Sequence, residues 1–275
     1  SGARRSRQLA GGDTRPSTRR PPGDGVSSGA LLFARYAYPP NALGYCGADQ
    51  NRTLLEYGEA GASDQGLAEL ARSFEGAWPY LELIAGANGI ADPLDPRVVE
   101  AYWVGSPLLE RVDGGSLASH LDERFRKRAG RTWDVLATSI PDGGVPHHDF
   151  HVFGVYPWVG LMRTGDATEP LRVLESCRIT PGRVVEVAGE EATVLARPLV
   201  WDGRILRLGD PAARRAAWRR DGLGFLHELR PNDWVSLHWD WVCDRLDVRQ
   251  ARALSRYTRR TLALANRASV PAAFA

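Results

Sequence analysis

The chain has 275 residues, 43% of them hydrophobic, and its 35 basic residues nearly balance its 33 acidic ones. No apolar run approaches the length of a membrane span, and the near-neutral charge argues against a general nucleic-acid or membrane-binding surface. The three cysteines, Cys46, Cys177 and Cys243, form no Cys-x-x-Cys pair and indicate a protein of the reducing cytoplasm.

The first part of the chain divides into a tail and a helical region. Residues 1–28 are rich in Arg, Gly, Pro and Ser and have almost nothing to bury, so we predict a mobile tail without a secretory signal. Residues 29–170 repeat apolar side chains at helical spacing and predict an all-α domain. Asp64, Asp95 and Ser116 are expected to cap three of its helices.

Two further expectations concern the ends of this helical domain. Its first helix is expected to end near Tyr38, because Pro39-Pro40 disfavours helical geometry in the residues before it. An aromatic loop rich in Gly and Pro would then run through Cys46, which is a candidate exposed nucleophile. A last helix is predicted from Arg131 to Ile140.

Residues 171–275 change from helical to strand periodicity. Val173, Arg183 to Val187, Thr193 to Leu199 and Ile205 to Leu208 are predicted as short strands. The stretch from Pro211 to about Arg220 is interpreted as an inserted helix or basic loop. A strand from Asp233 to Trp241 precedes a final helix capped by Asp247. We therefore expect an α+β protein in which the helical domain is followed by a small OB-like β-barrel with a C-terminal helix.

Two strings in this second domain resemble the HypC/HupF family of chaperones that assemble the iron centre of nickel–iron hydrogenases. The first, Cys177-Arg-Ile-Thr-Pro-Gly-Arg-Val, looks like the opening strand of that family. The second, Asn232-Asp-Trp-Val-Ser-Leu-His, with His238 at its end, looks like a later strand of the family. The resemblance covers roughly the last third of the chain.

This resemblance implies a function and a set of site residues. Cys177 and His238 would contact a transiently carried iron group, and the partner would be a HypD-like protein or the hydrogenase large subunit. The partner-binding surface would consist of an aromatic strand and the basic side of the last helix. Its residues would be Trp239, Trp241, Arg249, Arg252 and Arg256. The chain departs from the family in three respects. Cys177 is internal and not N-terminal, Asp240 stands where the family has a small Gly, and Trp241-Val242 stands where it has Phe-Ala.

A second candidate site is the string Pro146-His-His-Asp-Phe-His151, which holds three of the six histidines. On a helix, His147 and His151 would share a face; on a strand, His147, Asp149 and His151 would do so. Together with His148 these side chains form an alternative metal site, with His148, Asp149 and Cys46 as candidate catalytic residues. They could equally cap helices at the junction between the two domains.

These observations leave three functions open. The first is a cytoplasmic hydrogenase-maturation accessory or related metallocentre chaperone, which binds an iron group and a client protein and is not itself an enzyme. The second is an enzyme with a metal- or base-containing pocket at the domain junction, for which the barrel is only a scaffold. The third is a binding module without chemistry. In none of them do we expect a nucleic-acid or membrane partner.

Overall fold

The computed structural model describes residues 28–129, 140, 143–156 and 158–267. The predicted tail and the predicted helix from Arg131 to Ile140 lie outside this part of the chain, apart from Ser28 and Ile140. Within it, no helix combines the length and the apolar character needed to cross a membrane.

The fold is α+β, as expected: a helical N-terminal region, a β-barrel and a long C-terminal helix. A 3₁₀ turn, Pro107–Arg111, separates two of the helices, and a π-helical turn, His151–Val155, directly continues α7. In chain order the helices are α1 (Gly29–Ala42), α2 (Asn51–Ala60), α3 (Gln65–Arg72), α4 (Trp78–Ala87), α5 (Pro96–Trp103), α6 (Gly114–Ala129), α7 (His148–Phe150), α8 (Trp158–Thr164), α9 (Thr168–Cys177) and α10 (Val248–Arg267).

Helix α1 does not end near Tyr38, as the two prolines had led us to expect, but continues to Ala42. It is buried along nearly its whole length, so tertiary packing outweighs the local preference. The prolines still change the backbone hydrogen bonding of the helix. Because Pro40 has no N–H, the Tyr36 carbonyl lacks its usual helical donor and instead accepts a hydrogen bond from Nδ1 of His238 at 2.8 Å.

The barrel is closed and has the strand order β1-β2-β5-β9-β8. Neighbouring strands pair antiparallel except β5 and β9, which are parallel. This small five-stranded barrel matches the expected OB-like architecture. The strands are β1 (Thr180–Ala188), β2 (Glu191–Ala196), β3 (Leu199–Trp201), β4 (Leu206–Leu208), β5 (Ala212–Ala217), β6 (Arg219–Arg220), β7 (Leu223–Gly224), β8 (Trp234–His238) and β9 (Trp241–Leu246).

Three local predictions in this half were wrong. Val173 lies in α9 and not in a strand, and Cys177 ends that helix instead of opening a strand. The segment expected as a helix or basic loop contains β5, whose alanines and arginines have little strand propensity of their own. Its pairing with β2 on one side and β9 on the other decides its conformation.

One buried apolar cluster joins the two halves of the chain. It runs from Phe33 and Tyr102 in the helical region to Ile179 and Trp241 in the barrel and Leu254 in α10. A buried ion pair between Arg35 of α1 and Asp244 of β9 crosses the same boundary. The helical region and the barrel therefore pack as one body, and the side chains between them are held from both sides.

Candidate metal centre

Three side chains from three distant parts of the sequence meet where the barrel packs against the helices. They are His148 at the start of α7, Cys177 at the end of α9 and His238 at the end of β8. One ligand atom from each, an imidazole nitrogen or the thiol sulfur, lies within 4.8 Å of the others. We call this group the His-Cys-His cluster.

His238 is oriented by the backbone on both sides of it. The tight turn that follows it, Trp239-Asp240, has left-handed φ angles of 48° and 56° and reverses the chain into β9. Nδ1 donates to the Tyr36 carbonyl, so Nε2 carries the lone pair. Nε2 is buried and meets no hydrogen-bond donor in the described part of the chain. Burial and the neighbouring His148 lower the pKa of His238 well below its usual value, so the ring is neutral.

In His148, as in His238, one ring nitrogen donates to a backbone carbonyl and the other carries the lone pair. Its Nε2 lies 2.9 Å from the main-chain carbonyl of Cys177 and must donate, because a carbonyl only accepts. Nδ1 therefore carries the lone pair, with the hydroxyl of Tyr102 at 3.2 Å. Burial lowers the pKa of His148 to about 4, so this ring is also neutral at physiological pH.

Cys177 supplies the third donor from the C-terminal end of α9. Burial raises the pKa of its thiol well above the ordinary value, nearby Cys46 raises it further, and the Trp239 side chain lowers it. The backbone around it is fixed, because Trp239 donates its main-chain N–H to the carbonyl of Ser176 at 2.8 Å. The thiol is thus placed firmly but remains protonated unless a positive charge binds beside it.

Arg214 of β5 holds the two elements that carry Cys177 and His238. It donates to Glu175, two residues before Cys177, at 2.9 Å and to Asp240, two residues after His238, at 2.6 Å. The sequence analysis placed Arg214 in an inserted helix or basic loop and assigned it no role. Only the pairing of β5 with β2 and β9 brings Arg214 to the site, and no local sequence pattern predicts this position.

The cluster faces a cavity of about 440 Å³ between the barrel and the helices. Tyr45, Cys46 and Gly47 from the segment after α1 line one side, so the aromatic loop does reach this site. Cys46 is partly buried, and burial raises the pKa of its thiol, which is the opposite of what an activated nucleophile needs. Trp103 and Tyr156 add aromatic walls.

Two side chains of the segment 147–151 line this cavity, and two others point away from it. His148 and His151 line the cavity, and the Nδ1 atom of His151 is 3.0 Å from the hydroxyl of Tyr80. Nδ1 of His147 accepts from the backbone N–H of Asp149 at 3.1 Å, and its ring stacks on Tyr257. Burial lowers the pKa of His147 to about 3.

Asp149 points to the other side of the segment and joins three elements. Its carboxylate accepts from the hydroxyl of Thr258 in α10 at 2.7 Å and from the N–H of Ile179, just before β1, at 3.3 Å. Burial raises its pKa. Neither His147 nor Asp149 belongs to the His-Cys-His cluster, so the structure does not gather the four-residue metal site considered from the sequence.

The residues named as a partner-binding surface divide by burial. Trp241 is only 3% exposed, and its ring packs edge-on against Tyr38. Trp239 is 9% exposed and stacks on Tyr45 with 4.3 Å between ring centres. Both tryptophans are therefore mostly buried, whereas Arg249, Arg252 and Arg256 are exposed on α10.

Comparison with known proteins places the whole chain in one group. The model of a family described as "Family of unknown function (DUF6390)" matches residues 25–272. No curated protein and no solved structure matches the chain. The resemblance to the HypC/HupF family is therefore wrong, because the matching family is a different one and its match runs through both halves of the chain. Two short strings on a small barrel were too little sequence to identify a family.

Proposed function

The chain belongs to the DUF6390 family, whose function is unknown, and we propose that it binds one transition-metal ion through His148, Cys177 and His238. The proposed role is that of a metal-dependent enzyme, with the cavity receiving the substrate. The buried Nε2 of His238, whose lone pair meets no hydrogen-bond donor among the described residues, carries the proposal. A buried polar atom without a partner is costly, and a metal ion would satisfy it.

The surroundings of the two histidines support this proposal. Metal-binding histidines usually donate their second ring nitrogen to a carbonyl or carboxylate, which fixes the tautomer and the orientation of the ring. Both histidines do so here, to the carbonyls of Tyr36 and Cys177. Low pKa values also leave both rings neutral, which is the form that binds a metal.

The donor set favours zinc or copper over a hard cation. One thiolate and two imidazoles suit these metals, whereas magnesium and calcium prefer oxygen ligands. In a tetrahedral zinc site, with Zn–N of about 2.0 Å and Zn–S of about 2.3 Å, the ligand atoms lie about 3.3–3.5 Å apart. Separations of up to 4.8 Å therefore require the side chains to close by about 1 Å.

Three protein donors facing a cavity favour catalysis over a purely structural role. Structural zinc sites are closed by four protein ligands, and catalytic sites keep a position for water or substrate. A metal in such a site can polarise a carbonyl or activate a bound water. Transfer of an iron group to a client is less well supported, because Trp239 and Trp241, the expected docking residues, are buried. A reducing compartment remains part of the proposal, since Cys177 binds metal only as a free thiol.

Metal titration of the full chain tests the proposal. We expect one equivalent of zinc, and one equivalent of cobalt(II) with a thiolate charge-transfer band in its absorption spectrum. Cys177→Ser should remove that band, and His148→Ala and His238→Ala should each weaken binding strongly. His151→Ala and Cys46→Ser are matched controls, because these residues line the same cavity but lie outside the cluster. Stoichiometric binding that survives Cys177→Ser, or no binding to the unmodified chain, would refute the site.

A further inference from the structure

A second cavity, of about 400 Å³, lies on the other side of the barrel, between β1, β2, β8 and α10. Four of the described residues that line it are arginines, and none is an aspartate or glutamate. We call it the arginine groove. Its arginines are Arg178, Arg183, Arg197 and Arg259.

The register of the barrel builds one wall of this groove. Arg183 of β1 pairs with Leu195 of β2 on one side and with Trp234 of β8 on the other. These three side chains therefore form a row across the outer face of the sheet. Leu195 is 41% exposed and Trp234 is 37% exposed, so the row presents two apolar side chains beside a charge.

Helix α10 builds the opposite wall. Ser255, Thr258 and Arg259 recur at helical spacing and line the groove from one face of the helix. Arg259 and Arg183 are both exposed and form no ion pair with any described residue. Arg178 differs, because it is buried and bound by Glu175 at 2.9 Å. Arg183 and Arg259, which no described carboxylate neutralises, thus line the arginine groove from opposite sides.

The floor of the groove contains an unsatisfied polar group. The hydroxyl oxygen of Thr180 is buried, the residue is only 1% exposed, and the atom has no hydrogen-bonding partner within the described residues. Such a group usually bonds to water or to a ligand. A basic cavity without carboxylates, with a hydroxyl at its floor, is suited to an oxyanion.

We propose that the arginine groove binds a phosphate-bearing small molecule of mononucleotide size. Arg183 and Arg259 contact the phosphate, because guanidinium groups bind its oxygens through paired hydrogen bonds. Trp234 provides a surface for a flat ring, and stacking of a base on an aromatic side chain contributes appreciably to binding. The volume of the groove lies in the range of small-molecule sites. This proposal does not depend on the metal centre.

Calorimetric titration of the full chain at low ionic strength with AMP, inorganic phosphate and adenosine tests it. We expect AMP to bind more tightly than either of its parts. Arg183→Gln and Arg259→Gln should each weaken AMP binding about tenfold or more, which is the loss of a charged hydrogen bond. Trp234→Ala should weaken AMP binding and leave phosphate binding unchanged.

Arg252→Gln is the control for overall charge, because Arg252 is exposed on the same helix but does not line the groove. It should bind AMP like the unmodified chain. The proposal is overturned if AMP does not bind, if phosphate binds as well as AMP, or if Arg252→Gln weakens binding as much as Arg183→Gln. Thermal unfolding of each variant shows that it is folded, which we expect since all four substituted side chains are at least partly exposed.

Discussion

Pro40 frees the Tyr36 carbonyl from the hydrogen-bond ladder of α1, and that carbonyl fixes the ring of His238 at 2.8 Å. A residue normally read as a helix breaker thus positions a candidate metal ligand two hundred residues further along the chain. The helix tolerates the proline because the missing internal bond is replaced by one from the barrel.

Pro40→Ala should weaken metal binding without unfolding the protein. The new N–H at position 40 would compete with His238 for the Tyr36 carbonyl, and loss of such an outer partner typically costs about 10–100-fold in metal affinity. Competition with a chromogenic zinc chelator measures the change. Pro39→Ala is the matched control, because its N–H would pair with the Arg35 carbonyl and not with that of Tyr36. Equal effects of the two substitutions would contradict this role for Pro40.

Metal affinity should rise with pH by about tenfold per pH unit between roughly pH 6 and 8. Burial raises the thiol pKa of Cys177, so the metal-free protein carries this proton throughout that range and must release it on binding. His148, with a pKa of about 4, and His238, with a pKa that burial also lowers, are already neutral in this range and release no proton on binding. Calorimetry in buffers of different ionisation enthalpy counts the released protons. Binding without release of a proton would exclude Cys177 as a ligand.

Asp149→Ala should destabilise the fold by about 1–3 kcal/mol, because it leaves the Ile179 N–H without its buried acceptor. The Thr258 hydroxyl would keep only the Leu254 carbonyl of its own helix as an acceptor. Asp149→Asn keeps an acceptor oxygen and should cost less. Chemical denaturation measures both changes in the free energy of unfolding. A loss below about 1 kcal/mol for the alanine variant would show that the carboxylate does not join α10 to the barrel.

Asp244→Ala should cost about 3–5 kcal/mol, because it removes the carboxylate that pairs with the buried guanidinium of Arg35. Replacing both residues with apolar side chains, as in Arg35→Met with Asp244→Leu, should cost much less than the single change. Denaturation of Arg35→Met, Asp244→Leu and the double variant completes the cycle. If the double variant were the least stable of the set, the ion pair would contribute more to the free energy of unfolding than the apolar side chains that replace it.

Much of the fold could be predicted from local signals in the sequence. Asp64, Asp95 and Asp247 lie at helix starts where their side chains accept backbone hydrogen bonds, as expected. Ser116 is inside α6, and Asp113 caps that helix instead. Capping depends on side chains within three residues of each other, so a short window contains nearly all the information it needs.

The site could not be predicted in the same way, because its parts are separated along the chain. Cys177 and His238 were paired through a resemblance that proved wrong, and His148 was assigned to a different site. No spacing rule connects residues 29 and 61 positions apart; the closure of the barrel onto α1 and α7 brings them together. Strand β5 was missed for the same reason, since its neighbours in the sheet and not its own residues determine it.

The division of the three donors between helices and barrel has a consequence for how the protein would lose its ion. Residues 28–170 contain only His148 of the cluster, and residues 171–267 contain only Cys177 and His238. Neither half alone holds the complete set, so separation of the two would release the metal. The metal site would therefore be occupied only while the two halves are packed together, and the bound ion would link them.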